Sequence, residues 1–152
     1  MVSAPRLTVP RAIADALLAH ARAELPNEAC GILSGSLADA TAVAFHPARN
    51  EEASPLRYSV HGEDLVRITY EIDEAGQDLV AIFHSHTRSP AVPSATDRRT
   101  AMYPDAIYLL ATLADPEAPP EGALRAWRIV DGEVDEVPLE LPDQLSPAGA
   151  TR

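Results

Sequence analysis

Leu79-Val80-Ala81-Ile82-Phe83 is a run of five apolar residues that ends directly in His84-Ser85-His86. A run of this length reads as a buried strand, and strand geometry constrains the two histidines at its end. Side chains alternate faces along an extended chain, so His84 and His86 point the same way and both imidazoles can reach one metal ion. Seven residues then lead to Ser94, and two more to Asp97. Delivered by the following turn, the Asp97 carboxylate can supply a third ligand of the hard oxygen type. Two histidines, one carboxylate and an open fourth position describe a catalytic zinc site, because a structural site is closed by four protein ligands. Placing such ligands where a strand ends puts function on a rigid scaffold.

The rest of the chain supplies elements around that strand. Leu7-Thr8-Val9 reads as a short opening strand, and Pro10 suits the first turn of a helix. Ile13, Leu17, Leu18, Ala21 and Leu25 follow helical spacing, which predicts an amphipathic helix over 11–25. Strands are expected at 29–35 and 41–46 with a turn through Gly35 to Asp39, a loop at 47–56, and a strand at Arg57 to Val60. A second helix is predicted over 62–75, with Leu65, Ile68, Ile72 and Ala75 on one face and Gly76 ending it. The metal-bearing strand at 78–84 is followed by a short helix at 95–102 and a strand at 107–113. Residues 115–122 read as a loop, and 123–130 and 133–139 as a hairpin turning at Asp131-Gly132. Strands mixed with three helices predict an α/β or α+β sandwich around one mixed sheet. Residues 142–152 form the expected tail of little order.

Composition narrows the class. A chain of 152 residues is about one domain. Its longest apolar runs fall far short of the roughly 20 residues a membrane helix needs, so no membrane partner is expected. Met1 to Arg6 lack the charged-then-apolar pattern of a secretory signal, which makes the cytoplasm the expected location. The net charge of −11 argues against nucleic acid, whose phosphates need clustered cations. The single cysteine, Cys30, excludes an internal disulfide framework and reads as a small buried hydrophobe.

Each part of the metal cluster also has a plainer reading. Ser94-x-x-Asp97 before a helical stretch matches a capping box, and a lone His-x-His is common at strand ends. Four such residues within fourteen positions, at a strand-to-helix junction, favour the metal site, and a capping role is compatible with it. His20, expected to face solvent, His46 and His61 are not assigned to the metal. A hydrolytic site also needs a base for its water. Glu28, following Pro26-Asn27 at the entrance to an apolar strand, is one of 23 acidic residues, and sequence physics alone does not single it out.

Glu28 followed far downstream by His84-x-His86-x7-Ser94-x2-Asp97 resembles the signature of the JAMM (MPN+) metalloproteases. Asn27 to Gly31, His84 to Thr87, Pro93 to Asp97, Tyr103 to Ala106 and Trp127 to Gly132 are similar to the small bacterial Mec-type enzymes. Those enzymes release cysteine from the C-terminus of a ubiquitin-like sulfur-carrier protein. The resemblance implies an α/β fold, a single-domain JAMM/MPN sandwich like that of cytidine deaminases, over residues 1–141. It also implies one Zn2+ per chain on His84, His86 and Asp97. Glu28 would take the proton of the attacking water and pass it to the leaving amine, and Ser94 would donate a hydrogen bond to the oxyanion. The expected partner is a small ubiquitin-like carrier with a Gly-Gly C-terminus, and self-association, where present, is expected to give a homodimer. Thr87 stands where many JAMM members have proline, and the chain is too short for the long insertions of ubiquitin-specific members. Three readings stay open. These are cysteine release from a carrier, an (iso)peptidase acting on other ubiquitin-like conjugates, and a non-catalytic MPN scaffold.

Overall fold

The computed structural model describes residues 6–145. Its spine is an eight-stranded mixed sheet. In chain order the strands are β1 (Leu7–Thr8), β2 (Cys30–Ser36), β3 (Thr41–Ala48), β4 (Asp78–His86), β5 (Ile107–Thr112), β6 (Leu124–Val130), β7 (Glu133–Val137) and β8 (Leu139–Glu140). They lie side by side as β7-β6-β5-β4-β2-β3-β1-β8. The hairpins β2–β3 and β6–β7 and the pairs β2–β4 and β5–β6 are antiparallel, whereas β4–β5, β1–β3 and β1–β8 are parallel. The helices are α1 (Arg11–Ala23), α2 (Gly62–Glu74), α3 (Ala95–Thr100) and α4 (Pro120–Ala123).

Alternation along β4 decides what each sheet face carries. Ala81 and Phe83 point to the face covered by α1, joining Ala14, Leu17, Leu18 and Ala21 of that helix in the largest apolar cluster. Phe83 is fully buried there, a burial worth roughly 1.5–3 kcal/mol. Ile82, His84 and His86 take the opposite face. Ile82 packs in a cluster with Tyr108, Leu110 and Trp127, and next to it Ile68 and Ile72 of α2 pack on Cys30 and Ile32. The sheet is therefore flanked by helices on both faces, the mixed α/β arrangement expected. The hairpin at Asp131-Gly132 forms as read, with φ of 52° and 80°, the left-handed pair a type I′ turn requires. Gly76 ends α2 at φ 67°.

Several boundaries differ from expectation. The first helix stops at Ala23, leaving Leu25 exposed, and Ala75 is exposed rather than part of the apolar face of α2. The predicted strand at 57–60 reduces to one bridge, Asn50↔Val60. The Asn50 side chain supplies the reason: its amide donates to the carbonyls of Glu28 and Arg57, and its oxygen accepts from Glu52 N and Ser59 N. These side-chain bonds occupy backbone groups that a ladder would use. The loop at 115–122 contains the start of the short α4, which opens on Pro120. The predicted strand 133–139 divides at Pro138, whose carbonyl accepts from Leu7 N while β8 pairs with β1. Of the expected tail over 142–152, residues 146–152 lie outside the described residues. Pro142 accepts from Arg11 N at the start of α1.

Candidate metal centre

His84 and His86 end β4, and α3 begins nine residues later with Asp97 in its first turn. Asp97 Oδ2 lies 3.1 Å from His84 Nε2 and 3.0 Å from His86 Nε2. All three side chains are buried, at 0%, 4% and 8% exposure for His84, His86 and Asp97. Their ligand atoms fall within 4.8 Å of one another. Ligands held at about 2.0 Å around a tetrahedral ion sit roughly 3.3 Å apart, so the donors converge on the scale a small cation needs. Two nitrogens and a carboxylate oxygen suit zinc among the common ions.

Each ligand is held from behind. His86 Nδ1 donates to Pro90 O at 2.7 Å, which leaves its Nε2 lone pair facing the centre. Asp97 Oδ2 accepts from Ser94 N at 2.9 Å, and Ser94 Oγ accepts from Asp97 N at 3.0 Å. The capping box read from the sequence is thus formed by the same carboxylate that faces both histidines. Buried His84 Nδ1 has no hydrogen-bond partner among the described residues. Its ring instead lies flat against Tyr58, with centroids 4.2 Å apart and planes 16° from parallel.

Glu28 arrives through strand register. Cys30 pairs with His84 across the antiparallel β2–β4 ladder, and the same register continued two residues sets Glu28 beside His86. Ser85 closes this junction: its N donates to Ala29 O and its Oγ accepts from Ala29 N. Glu28 is 4% exposed, and its Oε1 has no hydrogen-bond partner among the described residues. A buried, unpaired carboxylate oxygen is costly, which marks this position as one kept for a partner that a folded chain alone does not supply. Ser94 is exposed at the cap, and its hydroxyl proton is free to be donated.

The electrostatics follow from burial and from the shared carboxylate. Burial pushes the Glu28 carboxyl up to about 7, with His86 opposing and Asp97 adding to the rise. Burial also disfavours ionised Asp97, but hydrogen bonds from His84 and His86 outweigh it and hold the carboxyl well below the usual range. Burial lowers His84. For His86 burial acts the same way but is outweighed by Asp97 and Pro90, so its pKa is raised.

Four of the five residues singled out in the sequence thus meet at the end of β4, with Ser94 at the rim. His46 and His61 lie elsewhere, as expected: His46 bonds Ser34 and Glu71, and His61 caps α2. His20 does not face solvent; its Nε2 contacts Cys30 O at 3.0 Å and its ring packs edge-on against Phe45. Cys30 is buried, and burial pushes its thiol up to about 12, leaving it unreactive. Sequence reasoning passed over Tyr58 and Asn50. Tyr58 acts on His84, and Asn50 on Glu28 as well as on its nearer neighbours Glu52, Arg57 and Ser59.

Comparison with known proteins agrees with this geometry. The family described as prokaryotic homologs of the JAB domain matches residues 10–130. A CysO-cysteine peptidase of Mycobacterium tuberculosis (strain ATCC 25618 / H37Rv) is 36% identical over 138 residues, 91% of this chain and 92% of the relative. A desampylase of Haloferax volcanii is 35% identical over 141 residues, 90% of this chain and 96% of the relative. The solution structure of protein DSY2949 from Desulfitobacterium hafniense superposes with a TM-score of 0.82 at 32% identity, covering 92% of this chain and 95% of that one. A match over most of the sheet, at this identity to relatives named as peptidases, sets the scaffold reading aside, and the chain belongs to the prokaryotic JAB-domain homologues as a hydrolase of that family.

Proposed function

We propose that this chain is a zinc-dependent peptidase that hydrolyses the bond after the C-terminal Gly-Gly of a small ubiquitin-like sulfur carrier, releasing cysteine in the cytoplasm. The observation that carries the chemistry is the buried convergence of His84, His86 and Asp97 beside an unpaired Glu28. His84, His86 and Asp97 would hold one zinc ion. When bound, zinc polarises a carbonyl and brings the pKa of water to about 7. Glu28, buried beside the three donors with Oε1 unpaired, would accept a proton from the water and return it to the leaving amine. The Ser94 hydroxyl, at the α3 cap, donates to the carbonyl oxygen as it becomes tetrahedral, a contribution of roughly 3–4 kcal/mol to the barrier. The names of the relatives support the substrate class: one is a peptidase for CysO-cysteine, and another is a desampylase. An extended Gly-Gly tail suits a site at a strand end, where it can lie alongside the sheet.

The desampylase relative favours a second reading, cleavage of a carrier from another protein. The test is incubation of the zinc-loaded chain with a carrier ending in Gly-Gly-Cys, followed by mass spectrometry. Loss of one cysteine residue is the expected result. An unchanged carrier, together with cleavage of a carrier–lysine conjugate, would establish the second reading instead.

A further inference from the structure

We propose that a cavity beside the metal centre binds the residue on the leaving side of the scissile bond and recognises it by a free C-terminal carboxylate, held by Arg57 and Arg99. The proposal rests on the peptidase reading and narrows its substrate to a carrier bearing a terminal amino acid.

The cavity is about 510 Å³ and opens on the same sheet face as His84, with Ile82 and Tyr108 among its lining. Tyr58 and Thr96 join it to the centre: Tyr58 stacks on His84 at 4.2 Å, and Thr96 directly precedes Asp97. Tyr58 and Thr96 thus form a wall shared by the cavity and the centre, which sets the two side by side.

The cavity's charge is opposite in sign to that of the molecule. The chain carries a net charge of −11, and Arg6, Arg11, Arg49, Arg67 and Arg125 are each engaged by carboxylates. Arg57 and Arg99, like Arg22, Arg88, Arg98 and Arg128, have no carboxylate within ion-pair distance among the described residues, and of these Arg57 and Arg99 line the cavity. Arg99 Nη2 turns back to Thr96 Oγ1 at 3.4 Å, on the residue that precedes Asp97. The backbone of Arg57 is fixed by Asn50 Nδ2, which donates to its carbonyl at 3.0 Å. One acidic group, Glu52, also lines the cavity, so two positive charges face one negative. Guanidinium forks match carboxylates in geometry and charge.

A Gly-Gly tail brings no charge to this position. A carrier joined to the α-amine of an amino acid brings one carboxylate, immediately beyond the bond to be cut. A carrier joined to a protein lysine brings none there, because the lysine backbone continues in both directions. Arg57 and Arg99 thus favour release of a terminal amino acid over removal of a carrier from a protein.

The test uses the zinc-loaded full chain and a carrier extended by one C-terminal residue, prepared as the free acid and as the amide. In parallel, binding of the peptides Gly-Gly-Ala acid and Gly-Gly-Ala amide is measured by NMR titration. Wild type should prefer the acid about tenfold in both assays, the size of one charge-assisted hydrogen bond. Arg57→Gln and Arg99→Gln, both at exposed positions, should each lower kcat/KM for the acid several-fold more than for the amide. Glu52→Gln should move the preference the other way. Equal handling of acid and amide by wild type, or an acid preference that survives loss of both arginines in a folded protein, overturns the proposal. If wild type cleaves no carrier of any kind, the peptidase reading falls, and the peptide titration still decides this one. Acid preferred over amide, lost in the arginine variants, supports it, and equal or absent binding overturns it.

Discussion

Asp97 Oδ2 lies within hydrogen-bond distance of three nitrogens, Ser94 N, His84 Nε2 and His86 Nε2. A site with only three protein donors has no spare ligand. Zinc analysis should find about one equivalent in wild type and close to none in His84→Ala and Asp97→Ala. Full zinc in both variants would remove the assignment. Glu28 gives a second residue-scale prediction, readable without turnover. In the metal-free protein its folded carboxyl sits at about 7 against an ordinary 4.5. The folded state then binds a proton more tightly than the unfolded state. The contribution of Glu28 to stability is therefore most favourable below pH 4.5, falls as pH rises to about 7, and levels off above. Glu28→Gln removes this loss. Urea unfolding at pH 8 should show the metal-free variant more stable by on the order of 3 kcal/mol, shrinking to under about 1 kcal/mol at pH 5. The same variant should keep zinc and lose nearly all hydrolysis. Ser94→Ala separates capping from catalysis. Loss of the cap alone costs about 0.5–2 kcal/mol of stability. Loss of an oxyanion donor should also cut kcat about 100- to 1000-fold with zinc retained, and we expect both effects together.

At the scale of elements, what could be read from the sequence was set by range. His84-x-His86 and Ser94-x2-Asp97 are local spacings on one strand and one helix turn, so alternation and capping chemistry were enough to place them. The strand itself announced its burial through five consecutive apolar residues. Glu28 was different: it stands 56 positions before His84, and only the β2–β4 register brings it to His86. Family resemblance pointed to it where physics did not. Tyr58 and Val60 favour a strand over 57–60, but the Asn50 side chain takes the backbone hydrogen bonds of Arg57 and Ser59 instead. Tyr58 supports His84 by stacking where His86 has a hydrogen bond to Pro90. Removing the ring should loosen the His84 imidazole. Chelator competition should show weaker zinc binding for Tyr58→Ala, within the 10- to 100-fold range typical of lost ligand support. Tyr58→Phe, which keeps the stack, should bind like wild type. Equal affinity in the alanine variant would mean that burial alone orients His84.

Over the whole molecule, the division of the sheet into two faces separates stability from chemistry. The largest apolar cluster lies on the α1 face and draws on β1, β2, β4, β5 and β6 without any of the metal donors. The opposite face holds the candidate donors, and there Ile82, Tyr108, Leu110 and Trp127 form an apolar cluster that contains none of them. The capping box on α3 also forms from the chain's own atoms. Zinc fingers unfold without metal because their ligands replace a core; here the core is complete before any ion binds. Treatment with a chelator should therefore leave the far-UV circular dichroism spectrum and a single cooperative melting transition in place. The loss of stability should be limited to the binding term, which grows as RT ln(1 + [Zn]/Kd), about 2.7 kcal/mol at a hundredfold excess over Kd. It should be regained on adding zinc back and be absent in Asp97→Ala, which has no ion to lose. A chelated wild type without a cooperative transition would show that the donors hold the two layers together, and that the separation of faces is not what keeps this chain folded.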